Sequence, residues 1–584
     1  MIKKIFIFLF ILIFIFITGV VGLKIARRIH HHLNMPKLVE TQAIISGLNI
    51  APTQEGLKIF VASSLDRIFL NGKTLEKPSF STSASISSAR NAYESFQIVL
   101  DSPLQDQPGV YLQTSDFVNL KTGSKISKDN FTWRVVGYVQ TETPYYPVKY
   151  VGLWPDPLIP AASYDVKAGN TQPFWLTVYV PEGTPAGDYT ATVTVKGLNF
   201  AAQLILVNLH VYNFTLPKES HLKTAFDFYG QNTRFRYPQG DEEPTATWHA
   251  RLEDINDKFI LNMLKHRMNP ILNIDPTSQS ELSHVDRYRA LGMNNFAIGK
   301  HGGTFNNNWP KDDPSIEKFL TTYQTYGEDL KINHLLDYAY IYTWDEGAIG
   351  NPVVPKLTSM IHRAYPGLKN MVCYHGFLEP DQNPEWGKDI DIWTFQIDNF
   401  DEPKMRKLQK MGMEMWMYIS GPSGTTSPNL ALDFDSIDYR IIPWICWKYD
   451  IRGFLYWCVN FWPNVDPFKS AKNTNWEQNG NGLLFYPGPD GPWDSIRTEN
   501  FRDGMQDYEY IQILLNKLRI LRAKGLEDKY KEYFDQSVIL MTMDDSIVKS
   551  MLDFTRDGDY LKARRDAIAK QIENFDQLGL TTTK

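Results

Sequence analysis

The pattern of hydrophobic and polar positions changes along the chain, and each pattern predicts a different kind of structure. Between about residues 57 and 217, short runs alternate apolar and polar positions; in residues 189–195 Tyr, Ala and Val alternate with Thr. Alternation with period two predicts half-buried strands. Turn signals such as Pro181-Glu182-Gly183 separate the runs, as they do in a sandwich of two sheets. We therefore predict a β-sandwich domain over residues 57–217.

Beyond Leu216-Pro217 the pattern becomes a regular alternation of strands and helices. Eight strand-like runs follow one another, at residues 225–229, 271–274, 296–298, 338–344, 371–374, 390–395, 415–419 and 454–459. Each run but the first follows a helical or irregular crossover, which is the pattern of a (β/α)8 TIM-type barrel. The predicted fold class is therefore multidomain β then α/β: the β-sandwich, a catalytic barrel over residues 218–520 and a C-terminal helical extension over residues 521–584.

The chain begins with an almost wholly apolar run over residues 5–23, which has Lys3-Lys4 before it and Lys24 after it. As a helix this run would be about 28 Å long, just enough to cross the hydrocarbon core of a bilayer. We predict a signal anchor or signal peptide over residues 1–23, with the uncleaved anchor favoured, and a linker over residues 24–56. The catalytic part is then expected to be exported, and held at the membrane unless the segment is cleaved.

The most informative stretch is the fourth predicted strand, which ends in two adjacent carboxylates, Asp345 and Glu346. Barrel enzymes carry their chemistry where strands meet loops at the C-terminal face. A protonated carboxyl beside an ionised one can perform acid catalysis, whereas a solvated turn is the plainer reading of Asp-Glu-Gly. Other strand ends are polar or aromatic: Asn273, Asp275, His375, Gln396, Tyr418, Asn460 and Trp462. Together they predict a polar cup with aromatic walls, suited to a sugar ring.

Composition narrows the function further. The chain has 15 Trp, 30 Tyr and 33 Phe, and aromatic faces stack on the apolar faces of sugars, although aromatic-rich cores give similar counts. A net charge of −6 leaves no basic footprint for nucleic acid. Cys373, Cys446 and Cys458 are odd in number and lie in apolar runs, so buried free thiols are predicted. Neither Cys-x-x-Cys nor His-Glu-x-x-His occurs, so a dedicated zinc site is not expected.

Several longer segments carry a more specific pattern. They are Ala89-Arg90-Asn91-Ala92-Tyr93-Glu94-Ser95-Phe96-Gln97, residues 180–189, residues 455–462, Asn479-Gly480-Asn481-Gly482-Leu483-Leu484-Phe485-Tyr486-Pro487-Gly488 and residues 495–510. In these segments the chain resembles glycoside hydrolase family 123 and its wider group of relatives, and the likeness covers nearly everything from about residue 60 to 515. Ala92 departs from the resemblance, since relatives usually have Glu there, but it is far from the predicted site.

The resemblance implies an exo-acting β-N-acetylgalactosaminidase-type hydrolase whose adjacent Asp-Glu pair matches Asp345 and Glu346. A standard retaining glycosidase flanks the anomeric carbon with two carboxyls about 5 Å apart, a task for which adjacent residues are poorly placed. In a substrate-assisted mechanism the acetamido oxygen of the substrate attacks instead. Glu346 would then protonate the leaving oxygen and deprotonate the incoming water, and Asp345 would accept the acetamido N–H. No metal or cofactor is implied.

The remaining predicted sugar contacts come from strand ends: Tyr418, Trp457, Trp462, Asn460, His375 and Gln396. Tyr418 is expected to donate to the acetamido oxygen, and Trp457 or Trp462 to stack on the ring. One alternative is a hydrolase of the same fold that acts on a sugar without an acetamido group and needs another carboxylate, such as Asp275 or Asp398. The other is an anchored carbohydrate-binding protein without catalysis. The sugar, its linkage and the oligomeric state stay open.

Overall fold

A computed structural model describes residues 56–74, 80–102, 104–304, 308–347, 349–379, 381, 384–421, 427–462, 465–472 and 477–578. The predicted signal anchor at residues 1–23 and all but the last residue of the predicted linker lie outside these ranges. Within the described part of the chain, no helix is both long enough and apolar enough to span a bilayer. The anchor, the membrane attachment and the export of the catalytic part therefore stay predictions.

The N-terminal part consists of two sheets that share one apolar core. The first has the strand order β1-β3-β10-β7-β8, and the second has the order β2-β12-β11-β4-β9, with β5 and β6 attached at β11. The strands are β1 Lys58–Ser63, β2 Ala84–Arg90, β3 Ala92–Ser102, β4 Gln107–Thr114, β5 Phe117–Val118, β6 Lys125–Ile126, β7 Phe131–Gln140, β8 Leu153–Ile159, β9 Tyr164–Val166, β10 Asn170–Val180, β11 Gly187–Lys196 and β12 Gln203–Thr215. In β11 the residues Tyr189, Ala191, Val193 and Val195 are buried. The alternation in the sequence thus marks the core-facing side of this strand, and the β-rich character of the region is confirmed.

The second part is built on a parallel sheet with the strand order β13-β19-β18-β17-β16-β15-β14. Its strands are β13 Lys223–Phe226, β14 Phe296–Gly303, β15 Ala339–Asp345, β16 Lys369–Tyr374, β17 Ile392–Gln396, β18 Glu414–Ile419 and β19 Gly453–Tyr456. The helices between them are α1 Gly230–Arg236, α2 Thr245–Lys265, α3 Gln279–Arg289, α4 Asp313–Ile332, α5 Val353–Ala364, α6 Glu402–Lys410 and α7 Ser436–Tyr449. A short antiparallel pair (β20 Tyr486–Gly488 and β21 Gly491–Trp493) and three helices (α8 Ile496–Ala523, α9 Lys531–Met541 and α10 Gly558–Gln577) complete the chain. The predicted α/β region with C-terminal helices is confirmed.

The second predicted strand of the barrel, at residues 271–274, is not part of a continuous ladder. Pro270 forms a single parallel bridge with Phe226 of β13, and Asn273 forms one with Ala297 of β14. Proline has no N–H to donate, so a regular ladder cannot continue through it. The described sheet therefore has seven hydrogen-bonded strands, and the segment that links its two edges does so through isolated bridges.

Helix α8 is the hub that joins the two parts of the molecule. All of its first seventeen residues are buried, including the charged residues Arg502, Asp503, Asp507 and Glu509. Ser495 begins the helix with a capping box, in which its side chain accepts from the Thr498 N–H. Four buried arginines each meet a buried carboxylate on or beside α8, and we call this set the α8 lattice: Arg440–Asp507 (2.7 Å), Arg497–Asp156 (2.8 Å), Arg502–Glu499 (2.7 Å) and Arg565–Glu94 (2.7 Å).

Candidate active site

A cavity of about 480 Å³ opens at the carboxyl ends of the parallel strands. Its floor is made by inward-facing residues of the sheet: Ile271, Tyr342, Cys373, Tyr418 and Leu455. Its walls come from the residues at the strand ends and from two loops: Tyr145, Asp227, Tyr229, Lys300, Asp345, Glu346, His375, Gln396, Ser420, Gly421, Trp457 and Gln478. The size and the mixture of apolar floor and polar wall are typical of a small-molecule site.

Asp345 is the last residue of β15, and its carboxylate is held by two donors. The Tyr342 hydroxyl donates to Oδ1 at 2.8 Å, and Lys300 Nζ lies 3.0 Å from Oδ2. Burial lowers the pKa of Lys300, but the charges of Asp345 and Asp227 outweigh this effect and raise it above its ordinary value. Lys300 is therefore a cation at neutral pH, and the carboxylate of Asp345 is fixed toward β14.

Glu346 follows immediately, but its side chain is directed to the other side of the cavity. Its backbone has φ of +58°, a left-handed conformation that is uncommon outside glycine and clusters at functional sites. Its N–H donates to the carbonyl of Cys373 at 2.8 Å, which fixes this turn against β16. The Tyr418 hydroxyl donates to Oε1 at 2.9 Å, and His375 Nε2 lies 3.6 Å from Oε2. The reversal in φ thus separates two neighbouring carboxylates.

The acid pair also depends on a close approach by β14. Gly303, with φ of +136°, packs so tightly on the Asp345 backbone that a Cβ would come within 2.0 Å of the Asp345 carbonyl oxygen. Thr304 then donates its N–H to the same carbonyl at 2.9 Å. Only glycine fits this position, which holds the end of β15 in place.

A chain of hydrogen bonds forms the wall beside Glu346. His375 Nδ1 lies 2.8 Å from Gln396 Oε1 and 3.0 Å from the Tyr418 hydroxyl, and Gln396 Nε2 donates to Ser420 Oγ at 3.1 Å. Burial, reinforced by neighbouring charges that include Glu346, raises the pKa of Tyr418 well above its ordinary value. Tyr418 therefore keeps its proton and remains a hydrogen-bond donor.

The aromatic wall is Trp457, which the segment at residues 479–488 supports from behind. Its indole N–H donates to Asn481 Oδ1 at 2.7 Å. Gly482 lies under the ring, where a Cβ would come within 2.3 Å of it. Next to it, Gln478 Nε2 donates to the hydroxyl of Tyr145, a residue of the loop between β7 and β8. The N-terminal part of the chain thus contributes directly to the cavity.

Comparison with known proteins agrees with this arrangement. The model of the glycoside hydrolase 123 catalytic domain matches residues 293–514, and that of the glycoside hydrolase 123 N-terminal domain matches residues 73–197. The first range contains Asp345 and Glu346. The chain belongs to glycoside hydrolase family 123 and its wider group of relatives.

Solved structures extend the comparison. A family 123 glycoside hydrolase from Clostridium perfringens, described in a study of glycolipid glycan hydrolysis, is similar over 89% of this chain and 99% of its own, with 14% identity and a TM-score of 0.63. A family 39 glycoside hydrolase from Bacteroides cellulosilyticus covers 73% of this chain and 81% of its own, with 11% identity and a TM-score of 0.35. A search of the curated proteins found no match.

In this family 123 glycoside hydrolase, six of the eight sequence-predicted site residues line the cavity: Asp345, Glu346, His375, Gln396, Tyr418 and Trp457. Asn460 and Trp462 do not, which corrects their predicted role as ring contacts. Trp462 is fully buried, packs on Phe259 and donates its indole N–H to the Phe485 carbonyl. Asn460 is also fully buried and bonds both the N–H and the carbonyl of Tyr229. It therefore positions a residue of the cavity without lining it.

The two further carboxylates considered for a plain glycosidase also lie outside this cavity. Asp275 accepts from the Thr277 hydroxyl at 2.7 Å and borders a separate surface groove. Asp398 accepts a short hydrogen bond from Ser427. The carboxylate that lines the cavity in addition to Asp345 and Glu346 is Asp227, which follows the end of β13.

Asp227, Tyr229 and Lys300 were missed in the sequence because the predicted strands had different ends. The pattern predicts one strand over residues 225–229, but β13 ends at Phe226 and leaves Asp227 and Tyr229 on the rim. The pattern predicts a strand over residues 296–298, but β14 continues to Gly303. A rule that inspects each polar residue within three positions of a strand end would have found all three.

The three cysteines are buried and free, as predicted. Within the described residues, one trio of potential metal ligands lies close together: His266, Asp494 and Glu499. His266 Nε2 is 3.2 Å from Glu499 Oε1, and Arg502 forms a bidentate pair with the same carboxylate. Because a guanidinium already neutralises Glu499, the arrangement is that of an ion-pair network rather than a vacant cation site.

Proposed function

We propose that this family 123 glycoside hydrolase removes terminal β-linked N-acetylhexosamine, with N-acetylgalactosamine as the preferred sugar, by a substrate-assisted retaining mechanism. The observation that carries the proposal is the divergence of the acid pair. Asp345 is directed toward Lys300 and Tyr342, and Glu346 toward Tyr418 and His375, although the two residues are adjacent. One cavity therefore contains a carboxylate that is fixed by a cation and another that a neutral tyrosine contacts.

These two environments suit different tasks. Glu346 lies beside a donor and a half-exposed imidazole, where it can give a proton to the leaving oxygen and later take one from water. Asp345 can accept the acetamido N–H and stabilise the positive charge that develops as the acetamido oxygen attacks the anomeric carbon. In this proposal the Tyr418 hydroxyl, which now donates to Glu346, donates to the acetamido oxygen when substrate is bound. Trp457 offers an apolar face to the ring.

The cavity also supports an exo mode of action. Its walls rise from the ends of all seven strands, and Tyr145 and Gln478 bridge the side between β18 and β19. A cavity with residues from every strand in its wall receives one terminal ring more readily than the middle of a chain. The glycan of the similar Clostridium perfringens study, which belongs to a glycolipid, is consistent with a substrate that ends in a single exposed sugar.

We also infer that the catalytic part, residues 218–520, is a (β/α)8 barrel in which the segment at 270–274 takes the place of the eighth strand. One apolar cluster contains residues of all seven strands together with Ile271 of this segment. A residue set of this kind is expected at the centre of a closed barrel, where side chains from every strand meet. The sandwich over 57–217, the helical extension over 521–584 and an exported, anchored enzyme complete the proposed organisation.

A second function is favoured by one observation, the presence of Asp227 in the cavity. A hydrolase of plain glycosides needs a nucleophilic carboxylate across the anomeric carbon from its acid. Asp227 is the described cavity carboxylate outside the acid pair, so it would take that role in place of Asp275 or Asp398.

The test is hydrolysis of a chromogenic β-N-acetylgalactosaminide by the purified protein, with the matching β-N-acetylglucosaminide and a plain β-galactoside beside it. We expect cleavage of the acetamido glycosides, with the galacto form preferred, and its loss in Glu346→Gln and Asp345→Asn. Cleavage of the plain galactoside alone would favour the second function. Acetamido cleavage that is undiminished in Glu346→Gln would contradict the assignment of the acid.

A further inference from the structure

We propose that Asp227 binds the ring hydroxyls that lie farthest from the scissile bond, at C3 and C4, and thereby selects the terminal sugar. The proposal rests on the proposed function, because it uses the orientation of the ring that the acid pair implies. Neither family model reaches Asp227, since their matches cover residues 73–197 and 293–514.

The backbone holds Asp227 firmly at the rim. It donates its N–H to the Tyr456 carbonyl at 3.1 Å, and its own carbonyl accepts from the Val459 N–H at 3.0 Å. These bonds attach the residue to the end of β19, just beyond the last ladder pair of β13, Phe226 with Tyr456. A side chain that is fixed in this way at a strand end can recognise a ligand precisely enough to discriminate between epimers.

The strand order sets the position of Asp227 relative to the acid pair. Glu346 is directed toward His375 after β16 and Tyr418 on β18, whereas Asp345 is directed toward Lys300 on β14. From β15 the wall continues through β14 and the segment at 270–274 to β13 and Asp227. The charges of Lys300 and Asp345 also act on the Asp227 carboxylate, so Asp227 lies on the Asp345 side of the cavity.

This geometry defines which atoms of the sugar meet Asp227. With the glycosidic oxygen at Glu346 and the C2 acetamido group at Asp345, the ring carbons that continue away from Glu346 are C3 and C4. A carboxylate has two oxygens and accepts two hydrogen bonds, which matches a pair of neighbouring hydroxyls. Since C4 is the epimeric centre that separates galacto from gluco sugars, a residue that binds its hydroxyl decides between the two.

The charges and hydrogen-bond partners around Asp227 are those expected of a carboxylate that binds hydroxyl groups of a ligand. The charge of Lys300 and hydrogen bonding from the Tyr229 side chain and the Phe228 backbone lower the pKa of Asp227. Burial and the charge of Asp345 raise the pKa of Asp227 to about 6, despite these favourable contacts. In the α8 lattice, by contrast, each carboxylate has a guanidinium within 2.8 Å. Hydroxyl donors from a sugar would supply the stabilisation that arginines supply there.

The experiment measures the coupling between Asp227 and individual hydroxyls. Wild type, Asp227→Asn and the control Asp275→Asn are compared on the chromogenic β-N-acetylgalactosaminide and on its 3-deoxy and 4-deoxy analogues. We expect Asp227→Asn to lower kcat/KM on the parent at least about 100-fold, since a site built to bind a hydroxyl discriminates strongly. With wild type, kcat/KM for at least one deoxy analogue is lower than for the parent substrate by a similar factor. With Asp227→Asn the same comparison gives less than about 3-fold, because the carboxylate that binds the missing hydroxyl is already absent. Asp275→Asn keeps the wild-type pattern.

Three results would overturn the proposal. If both deoxy analogues lose the same factor in wild type and in Asp227→Asn, the residue does not contact those hydroxyls. If azide restores the activity of Asp227→Gly, the residue is a nucleophile instead. If Asp227→Asn and Asp227→Glu, both shown to be folded by circular dichroism, retain wild-type kcat/KM, the residue has no part in recognition.

Failure of the proposed function is seen separately, as wild type that cleaves no acetamido glycoside. In that case titration calorimetry measures the binding of free galactose, N-acetylgalactosamine and their deoxy forms. Each sugar is compared with its deoxy form, in wild type and in Asp227→Asn. A hydroxyl whose loss weakens binding in wild type but not in Asp227→Asn supports the Asp227 assignment. Equal weakening in both proteins contradicts it.

Discussion

Two regions of the molecule are rich in carboxylates, and they differ in how the charges are matched. In the α8 lattice the acids are buried, and each has an arginine at 2.7 to 2.8 Å. In the cavity, Asp345 has a lysine and a tyrosine, and the described partners of Glu346 are a tyrosine and an imidazole at 3.6 Å. Rigid guanidinium pairs suit a permanent structure. Carboxylates with looser partners can exchange protons and accept a substrate, so we propose that the mode of pairing separates structural acids from functional ones.

The comparison is tested most strongly by Glu346→Gln, the substitution with the largest expected effect on activity. Loss of a general acid lowers kcat/KM by about 10³- to 10⁴-fold. The free energy of unfolding should change by less than about 0.5 kcal/mol, because the side chain is partly exposed and keeps a hydrogen-bonding partner. Hydrolysis assays and thermal unfolding are measured on the same preparation. Glu379→Gln, which removes a surface ion pair with Lys404, is the matched control and should change neither.

The converse result is expected from Arg440→Met in the α8 lattice. This change removes the guanidinium that pairs with the buried carboxylates of Asp507 and Asp503. Breaking a buried ion pair costs about 3–5 kcal/mol of stability. Urea denaturation measures the loss, while kcat for the folded fraction stays near the wild-type value. Arg522→Met removes an exposed pair with Glu527 and should cost less than about 1 kcal/mol. Equal destabilisation by both substitutions would contradict the structural role of the lattice.

Lys300→Met tests whether the Lys300 ammonium orients the Asp345 carboxylate for catalysis. Without the ammonium 3.0 Å away, Asp345 is less well oriented toward the acetamido group, and we expect kcat/KM to fall about 10- to 100-fold. If Lys300 acts through Asp345, the double variant with Asp345→Asn is no worse than Asp345→Asn alone. Multiplying losses would show that Lys300 acts independently, for example on the sugar itself.

The last prediction concerns the dependence of stability on pH at Asp227. Its folded-state pKa of about 6 exceeds the ordinary value of 3.8, so between these pH values the folded protein binds more protons than the unfolded chain. The free energy of unfolding therefore falls as pH rises through this window, and the penalty is fully present above about pH 7. Asp227→Asn removes it, so the variant should be more stable than wild type by up to about 3 kcal/mol at pH 7.5, at about 1.4 kcal/mol per pKa unit, and of nearly equal stability near pH 4. Thermal unfolding at the two pH values measures the difference; a variant that is less stable at pH 7.5 contradicts it.

The contrast also shows how far the sequence alone could lead. Asp345 and Glu346 stood out because two acids end an apolar strand, and the structure places both in the cavity. The start of α8 is rich in charged residues, but the partners of these charges could not be identified from the sequence. Arg440 lies 67 positions before Asp507, and Glu94 lies 471 positions before Arg565. Local pattern does not reveal pairs that form only when distant segments meet.

Errors at the site arose from strand boundaries. The last strand was predicted to reach residue 459, which would put Asn460 and Trp462 on the rim, but β19 ends at Tyr456 and the chain then turns inward. The predicted first strand makes the opposite error, because it includes Asp227, which lies beyond the end of β13. A shift of two or three residues at a strand end exchanges a rim residue for a core residue. Element type follows from periodicity, whereas the ends depend on tertiary contacts that a single sequence does not display.

The central claim, that the substrate supplies the nucleophile, is tested most directly by weakening that nucleophile. Chromogenic β-N-acetylgalactosaminides with zero, one, two or three fluorines on the acetyl methyl group are compared at constant pH. Each fluorine withdraws electrons from the acetamido oxygen, so we predict that kcat/KM falls stepwise, by about 10³-fold or more over the series. A rate that is unchanged by fluorination would contradict the account, because it would show that a group of the protein, with Asp227 the first to examine, attacks the anomeric carbon.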